Sequence, residues 1–462
     1  MTNWVGHTAT EIAAAVRDGT ATAAEVMAGH LDHIAAHAAG LGAFVSVRTA
    51  RARDEAAALD QRAGKAGLPL AGVPVSIKDT IAVSGEPTRL GSAATPARPQ
   101  PADHPLVARL RAAGAVVAGL TNLPELAIYP FTDSAYGIAR NPFNLDKTTG
   151  GSSGGAAASV ASGMVPLAHG SDGLGSVRIP AAACGLFGIK PGPGVLPGTA
   201  GWFGLSENGV LATTVADAAL MLGVMAGRSY SAAPLGSPLA AGPDSLRIAV
   251  STRAPGPGIG VHKDCADAVH ESAALLASLE HSVEDADPPY PGWLSAVLIS
   301  YWLAGPASEA GPNVADMEPR TRRHVRAGQQ VLRARPPREA DRERLRTALD
   351  PFFARHDVLV LPTLAQPAPP ARRYGNLSWS RSVTLALRFA PMTGVWNLAG
   401  YPAASVPVPA ATAPAGTAPA DGMPRAVQLV TTPGREDLLF ALAAQLERAR
   451  PWPRLAPGYT AV

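Results

Sequence analysis

Two cysteines, Cys184 and Cys265, are all that the chain carries in 462 residues. Neither a disulfide framework nor a cysteine zinc site can be built from them, which suits a reducing compartment. Charge of one sign is missing as well. The 39 Lys and Arg oppose 36 Asp and Glu, and a net +3 argues for neither nucleic acid nor an anionic membrane as partner. No stretch near 20 residues is continuously apolar, because the Ala-rich segments are broken by charge, Gly or Pro. The opening "MTNWVGHTATEIAAAV" lacks a basic segment followed by an apolar one, so no signal peptide is expected. The expectation is a soluble, cytoplasmic protein. At 47% hydrophobic and 16% charged, it can bury a large core despite 47 Gly and 44 Pro. No internal repeat at solenoid periods is visible.

Residues 8–65 read as helical. "TATEIAAAVRDG" has a Thr cap and a Gly stop, "ATAAEVMAGHLDHIAAHAAG" is amphipathic, and a third helix follows in "VRTARARDEAAALDQRAGKAG". "LAGVPVSIKDT" (70–80) reads as a short apolar strand ending in a polar turn. "HPLVARLRAAGAVVAGLTN" (104–122) is a helix, a Gly break and a buried strand, an α/β unit. The glycines at 150–155 lead into the small-residue helix "AAASVASGM". In a helical region at 285–350, ten arginines crowd between Arg320 and Arg346, with Glu339, Asp341 and Glu343 among them. Aromatics to stack on bases are missing there, so a solvated helix face with local ion pairs is expected. "VPVPAATAPAGTAPADGMP" (406–424) is expected to be an exposed Pro/Ala loop, and "GREDLLFALAAQLERA" a final amphipathic helix.

Three stretches carry candidate chemistry. "TTGGSSGGAAAS" (148–159) sets two hydroxyls among glycines, yet it is no P-loop, since no Lys-Ser/Thr follows, and GxGxxG is absent. "GSDGLGSVRIP" (170–180) places Ser176 after small residues whose N–H groups can converge as an oxyanion hole; taken alone, the cluster is read sooner as a tight turn before a strand. A serine nucleophile needs a base. His169 precedes Ser176 by seven residues, but GxSxG is missing, so a packed or rim histidine is expected. His30, His33 and His37 share a helical face without a carboxylate at matching spacing, so they are read as a solvated face rather than a metal site. Lys78 closes "VPVSIKD", where a buried strand ends. It can serve as a base only if burial keeps it neutral; the alternative is an ordinary strand-end lysine paired with Asp79.

In this order, these stretches resemble the amidase signature family of serine hydrolases. The likeness includes "GVPVSIKD" (72–79), "RLRAAGAVVAGLTNLPELA" (109–127), "NPFN" (141–144), "GGSSGGAAASVASGMVPLA" (150–168), "SVRIPAAACGLFGIKP" (176–191) and "GVLATTVADAA" (209–219). Weaker matches are "LVLPTLAQPAP" (359–369), "NLAGYPAASVP" (397–407) and "VQLVTTPGREDLL" (427–439). The resemblance implies one compact α/β/α domain over 1–462, with a large mixed sheet flanked by helices and a core at 70–220. By motif it implies Ser176 as nucleophile, Ser152 as a bridging serine after a cis peptide bond, and Lys78 as base. It places the oxyanion hole at the backbone of Gly173, Leu174, Gly175 and Ser176, and makes Ser153, Asp172 and Arg178 braces of the loop. The implied reaction is hydrolysis of a linear amide C–N bond through an acyl-enzyme, with no metal or organic cofactor.

Two positions depart from the pattern. Leu174 stands where the family usually has a glycine, so it is strained if that position needs positive φ and reshapes the acyl pocket if it does not. Leu120 replaces the family's common Lys of "GKTN". Candidate pocket walls are Tyr129, Phe131, Tyr136, Trp202, Phe203, Trp302 and Trp396, each of which core packing would also explain. They favour aryl or other hydrophobic amides, and esters, as small-molecule substrates, with a homodimer as an allowed assembly. The rival roles are an amide synthase or acyltransferase, the glutaminase subunit of a tRNA-dependent amidotransferase, and a binding protein on an amidase scaffold impaired by Leu174.

Overall fold

The computed structural model describes residues 3–198, 201–233, 244–409 and 422–459. Its large sheet has eleven strands: β1 (Phe44–Val47), β2 (Pro74–Lys78), β3 (Val116–Thr121), β4 (Leu167–Asp172), β5 (Phe187–Lys190), β6 (Glu207–Ala212), β7 (Arg247–Val250), β8 (Ser282–Asp285), β9 (Val358–Pro362), β10 (Ala403–Pro407) and β11 (Ala426–Val430). The spatial order is β1-β3-β2-β4-β6-β5-β10-β11-β9-β7-β8. β3, β2 and β4 run parallel, as do β9, β7 and β8; the strands between these groups pair antiparallel, so the sheet is mixed.

Both faces of this sheet are covered. Successive residues of a strand point to opposite faces. In β9, Val358 and Val360 enter one core while Leu359 and Leu361 enter the other; in β10, Ala404 and Val406 oppose Ala403. The first core is closed by the amino-terminal helices and the Glu436–Ala449 helix, the second by the Leu294–Glu309, Pro319–Ala334 and Glu339–Phe353 helices. This is the expected α/β/α layering. Among the described residues no helix is long and apolar enough to cross a membrane.

Local signals explain the amino-terminal helices. Thr8 and Thr22 cap Ala9–Asp18 and Ala23–Leu41 through reciprocal bonds with Glu11 and Glu25, and Gly19 and Gly42 end them in left-handed conformation. The third helix is shorter than expected, Thr49–Asp60, because Val47 belongs to β1 instead. That short strand was hidden between two helical patterns, and it forms by pairing with β3. The expected loop at 406–424 also needs correction: Val406 and Pro407 end buried β10 and Val408 is buried, while 410–421 lie outside the described residues.

The arginine-rich region is a solvated face only in part. Arg320 and Asp133 form a fully buried ion pair at 2.9 Å, and Asp133 also accepts the Gly375 N–H. Arg342 is buried too, donating to the Leu398 carbonyl and to Glu339. These two arginines pin the Pro319–Ala334 and Glu339–Phe353 helices to the body. Breaking a buried pair leaves an uncompensated charge. Asp133→Ala is therefore expected to cost about 3 kcal/mol in urea unfolding, since Glu318, 3.1 Å from Arg320 Nε, still offsets part of the charge. Asp32→Ala, which removes the exposed partner of Arg53, should leave stability unchanged within error.

Candidate active site

β2 and β4 are parallel neighbours, so Lys78 and Asp172, their last residues, reach the same edge of the sheet. Along β2, Val75 and Ile77 enter the first core, which turns Ser76 and Lys78 the other way. There Ser76 Oγ meets Ser159 Oγ at 3.0 Å, and Lys78 Nζ donates to Ser152 Oγ at 2.8 Å. The Lys78 amine also reaches Ser171 Oγ at 2.9 Å and the Ser171 carbonyl at 3.2 Å. No carboxylate forms an ion pair with it among the described residues. Asp79 turns away to accept the Arg89 N–H at 3.0 Å, so the strand-end pair with Lys78 does not form. Burial brings Lys78 down to about 7, against the pull of the Asp172 charge.

The glycine-rich segment crosses this strand edge tightly. The Gly151–Ser152 peptide bond is cis. Its helix starts at Gly154–Gly155, and a Cβ on Gly155 would collide with the Ala43 carbonyl. The neighbouring Ser153 stitches two loops together: its N–H donates to the Ser176 carbonyl at 3.1 Å and its hydroxyl to the Ser171 carbonyl at 3.2 Å.

Asp172 builds the turn that carries Ser176. Its carboxylate accepts the N–H groups of Gly175 (2.6 Å) and Val177 (3.1 Å), and Arg178 grips it at 2.9 and 2.8 Å. Arg178 is held in turn by Asn397, Gln428 and the Thr393 carbonyl. Burial alone would raise the Asp172 carboxyl, but the Arg178 charge and hydrogen bonds outweigh it and hold it well below the usual range. The left-handed position is Gly175, with φ +119, where a Cβ would also collide with Thr393. Leu174 keeps negative φ and is unstrained. Its carbonyl accepts from Thr393 Oγ1 at 2.5 Å, and its side chain enters a cavity. Gly175 differs from expectation, because its N–H is spent on Asp172. The N–H groups of Gly173, Leu174 and Ser176 have no partner among the described residues, and neither does the hydroxyl of half-buried Ser176.

Two cavities meet at Ser176. One, of about 370 Å³, is lined mostly by apolar side chains, including Leu174, Ile179, Leu298, Tyr129, Trp202 and Trp302. The other, of about 360 Å³, is polar and includes Ser152, Ser171, Asn208, His104 and Glu309. Phe131, Tyr136 and Trp396 correct the expectation, since they line neither. Phe131 is buried between Tyr129 and Tyr374, Trp396 packs with Phe353 and Tyr401, and the Tyr136 hydroxyl donates to the Ser92 carbonyl. Phe203 is exposed and lines neither.

His30, His33 and His169 make internal hydrogen bonds. His169 is buried, its Nε2 lies 2.9 Å from Asn208 Oδ1, and burial pushes it down to about 3. His30 and His33 bond the Met164 and Ser162 carbonyls, with His30 buried, which corrects the solvated-face reading. Among the described residues, no three His, Cys, Asp or Glu gather as metal ligands would. Sequence reasoning missed Ser171, Thr393, Asn397 and Gln428. Asn397 and Gln428 do fall in the weaker matches at 397–407 and 427–439, which was the available signal.

Known proteins give this geometry a context. The Amidase family model matches residues 25–440. AmiB2 of Mycobacterium tuberculosis, a relative named as an amidase, is 41% identical over 455 residues, 96% of each chain. A 6-aminohexanoate-cyclic-dimer hydrolase of Paenarthrobacter ureafaciens is 33% identical over 485 residues, 96% of this chain and 95% of that one. Among solved structures, a 6-aminohexanoate cyclic dimer hydrolase complexed with substrate superposes with TM-score 0.83 at 29% identity, covering 99% of this chain and 100% of that one. A bacterial aryl acylamidase of the amidase signature family superposes with TM-score 0.80 at 27% identity, over 96% of each chain.

The buried lysine has a measurable signature in stability. Between its folded value of about 7 and the unfolded value near 10.4, the unfolded chain binds a proton that folded Lys78 does not. Stability therefore rises with pH through that window, by about 1.4 kcal/mol per unit from this residue. Denaturant unfolding at pH 7, 8 and 9 should show the unsubstituted chain gaining on Lys78→Met by that slope. Parallel curves would mean that Lys78 stays charged in the fold.

Proposed function

The chain belongs to the amidase signature family and is an amide hydrolase; from that premise we propose that it works through Ser176, Ser152 and Lys78 on a linear amide with a hydrophobic or aryl acyl part. The observation that carries this reading is the buried Lys78 amine, brought to about 7 and bonded to Ser152, which lines the same cavity as the unpartnered hydroxyl of Ser176. Lowering a lysine by about three units takes roughly 4 kcal/mol, which burial of the amine supplies here. A base must be neutral to accept a proton, and its best value lies near the working pH.

In this reading Ser176 Oγ attacks the amide carbonyl while its proton passes through Ser152 to Lys78. The carbonyl oxygen becomes an anion facing the unbonded N–H groups of the turn, where each donor contributes about 3–4 kcal/mol. The relay returns the proton to the amine as the C–N bond breaks. Water then attacks the acyl-enzyme by the same route and releases the acid. Esters, with an easier leaving group, fit the same sequence of steps. The normal backbone of Leu174 favours a working site over an impaired binder, and the apolar cavity it helps to line favours hydrophobic acyl groups. The aryl acylamidase among the structural neighbours agrees with that choice.

The test is a fluorophosphonate probe followed by peptide mass mapping. The label should fall on Ser176, disappear in Ser176→Ala, and form about a hundred- to ten-thousand-fold more slowly in Lys78→Ala. Only neutral Lys78 is active, so labelling should accelerate as pH rises and level off above about 7. A label on another serine, or one indifferent to Lys78, would overturn the assignment.

A further inference from the structure

The two cavities at Ser176 share few walls, among them Ala127, Ser176 and Trp202. Trp202 stands between them on left-handed backbone, with φ 57 and ψ 46. Its side chain packs so closely on the Leu294–Glu309 helix that a Cβ on Gly305 would come within 2.6 Å of the indole. The Trp202 N–H donates to Glu309 Oε1 at 3.0 Å, which holds that carboxylate at the wall of the polar cavity. Among the described residues no lysine or arginine lines that cavity. Among the described residues Glu309 is its one carboxylate, raised by burial against the hydrogen bonds from Trp202, and His104, the other ionisable side chain there, is pushed towards the neutral form by burial.

The direction of the proton relay tells the cavities apart. When the C–N bond breaks, its electron pair stays on nitrogen, and the proton reaches that nitrogen from Ser152. Ser152 and Ser171 line the polar cavity and not the apolar one. The departing amine must therefore leave on the polar side, and the acyl half occupies the apolar side beside Leu174. We propose that the polar cavity is the amine subsite and that Glu309 makes the enzyme prefer amides whose leaving amine carries a second, positively charged group, such as the monoamide of a short diamine. This assignment rests on the Ser176–Ser152–Lys78 reading given above.

Four compounds and one variant test it. The octanoyl amides of 1,4-diaminobutane, butylamine and 4-aminobutyric acid differ only in the charge at the far end of the amine. The butylamide of 8-aminooctanoic acid places the charge on the acyl side instead. The expected order of kcat/KM is cationic amine first, neutral about tenfold lower, and the anionic amine and charged acyl lowest. Glu309→Gln keeps an oxygen for the Trp202 N–H but removes the charge, so the cationic-to-neutral ratio should fall to about one. Hydrolysis with a flat or reversed order, or an unaltered ratio in Glu309→Gln, would overturn the subsite while leaving the catalytic reading intact. Labelling of Ser176 without turnover of any of the four would overturn it as well. Failure of both labelling and turnover would sink the two readings together.

Discussion

A lysine amine buried without a carboxylate partner is the constraint around which this site is organised. Burial disfavours the charged form, and among the described residues only hydroxyls and a carbonyl meet Lys78 Nζ. The nearest opposing influence is Asp172, whose charge would draw a proton back onto the lysine. Arg178 and the N–H groups of the Ser176 turn absorb that charge. One carboxylate thus shapes the turn, and its pull on the Lys78 proton is outweighed by burial of the amine. Asp79 would have undone the arrangement by pairing with its neighbour, but it is spent on the Arg89 backbone.

The sheet makes this arrangement possible. Parallel β2 and β4 bring Lys78 and Asp172 to one edge from positions far apart in the chain. The period of two then separates the residues that fill the core from those that face the glycine-rich segment. The turn is locked by Thr393, Asn397 and Gln428, so the distant half of the chain sets the position of Ser176.

How much of this was legible in sequence follows from how local each signal is. The capped helices, β2, β3 and the Gly-rich stretch were readable because caps, breaks and apolar runs are short-range patterns. β1 was not, since its strand character comes from pairing with β3 rather than from its four residues. Composition marked Arg320 as surface, and only the fold reveals Asp133 opposite it. Lys78, Ser152 and Ser176 were singled out through resemblance alone; in the structure Lys78 bonds Ser152, and Ser152 and Ser176 line one cavity. The aromatic walls were the weakest part: Tyr129, Trp202 and Trp302 line the apolar cavity while Phe131 and Trp396 fill the core, and nothing in their sequence neighbourhoods separates the two groups. The donor set of the turn was likewise hidden, because Gly175 gives its N–H to a carboxylate three residues earlier.

The central claim is that Lys78 is neutral near physiological pH, and the chain offers a clean way to see it. Its five lysines are Lys65, Lys78, Lys147, Lys190 and Lys263, so protein labelled at lysine ¹³Cε gives a simple spectrum. Lys78→Met identifies the resonance of interest, and a titration from pH 5 to 11 follows each amine directly. The account predicts a Lys78 signal that changes near pH 7, clear of the exposed Lys263, whose pairing with Asp267 keeps it charged to higher pH. A Lys78 signal that stays in its charged position above pH 9 would contradict the account at its root.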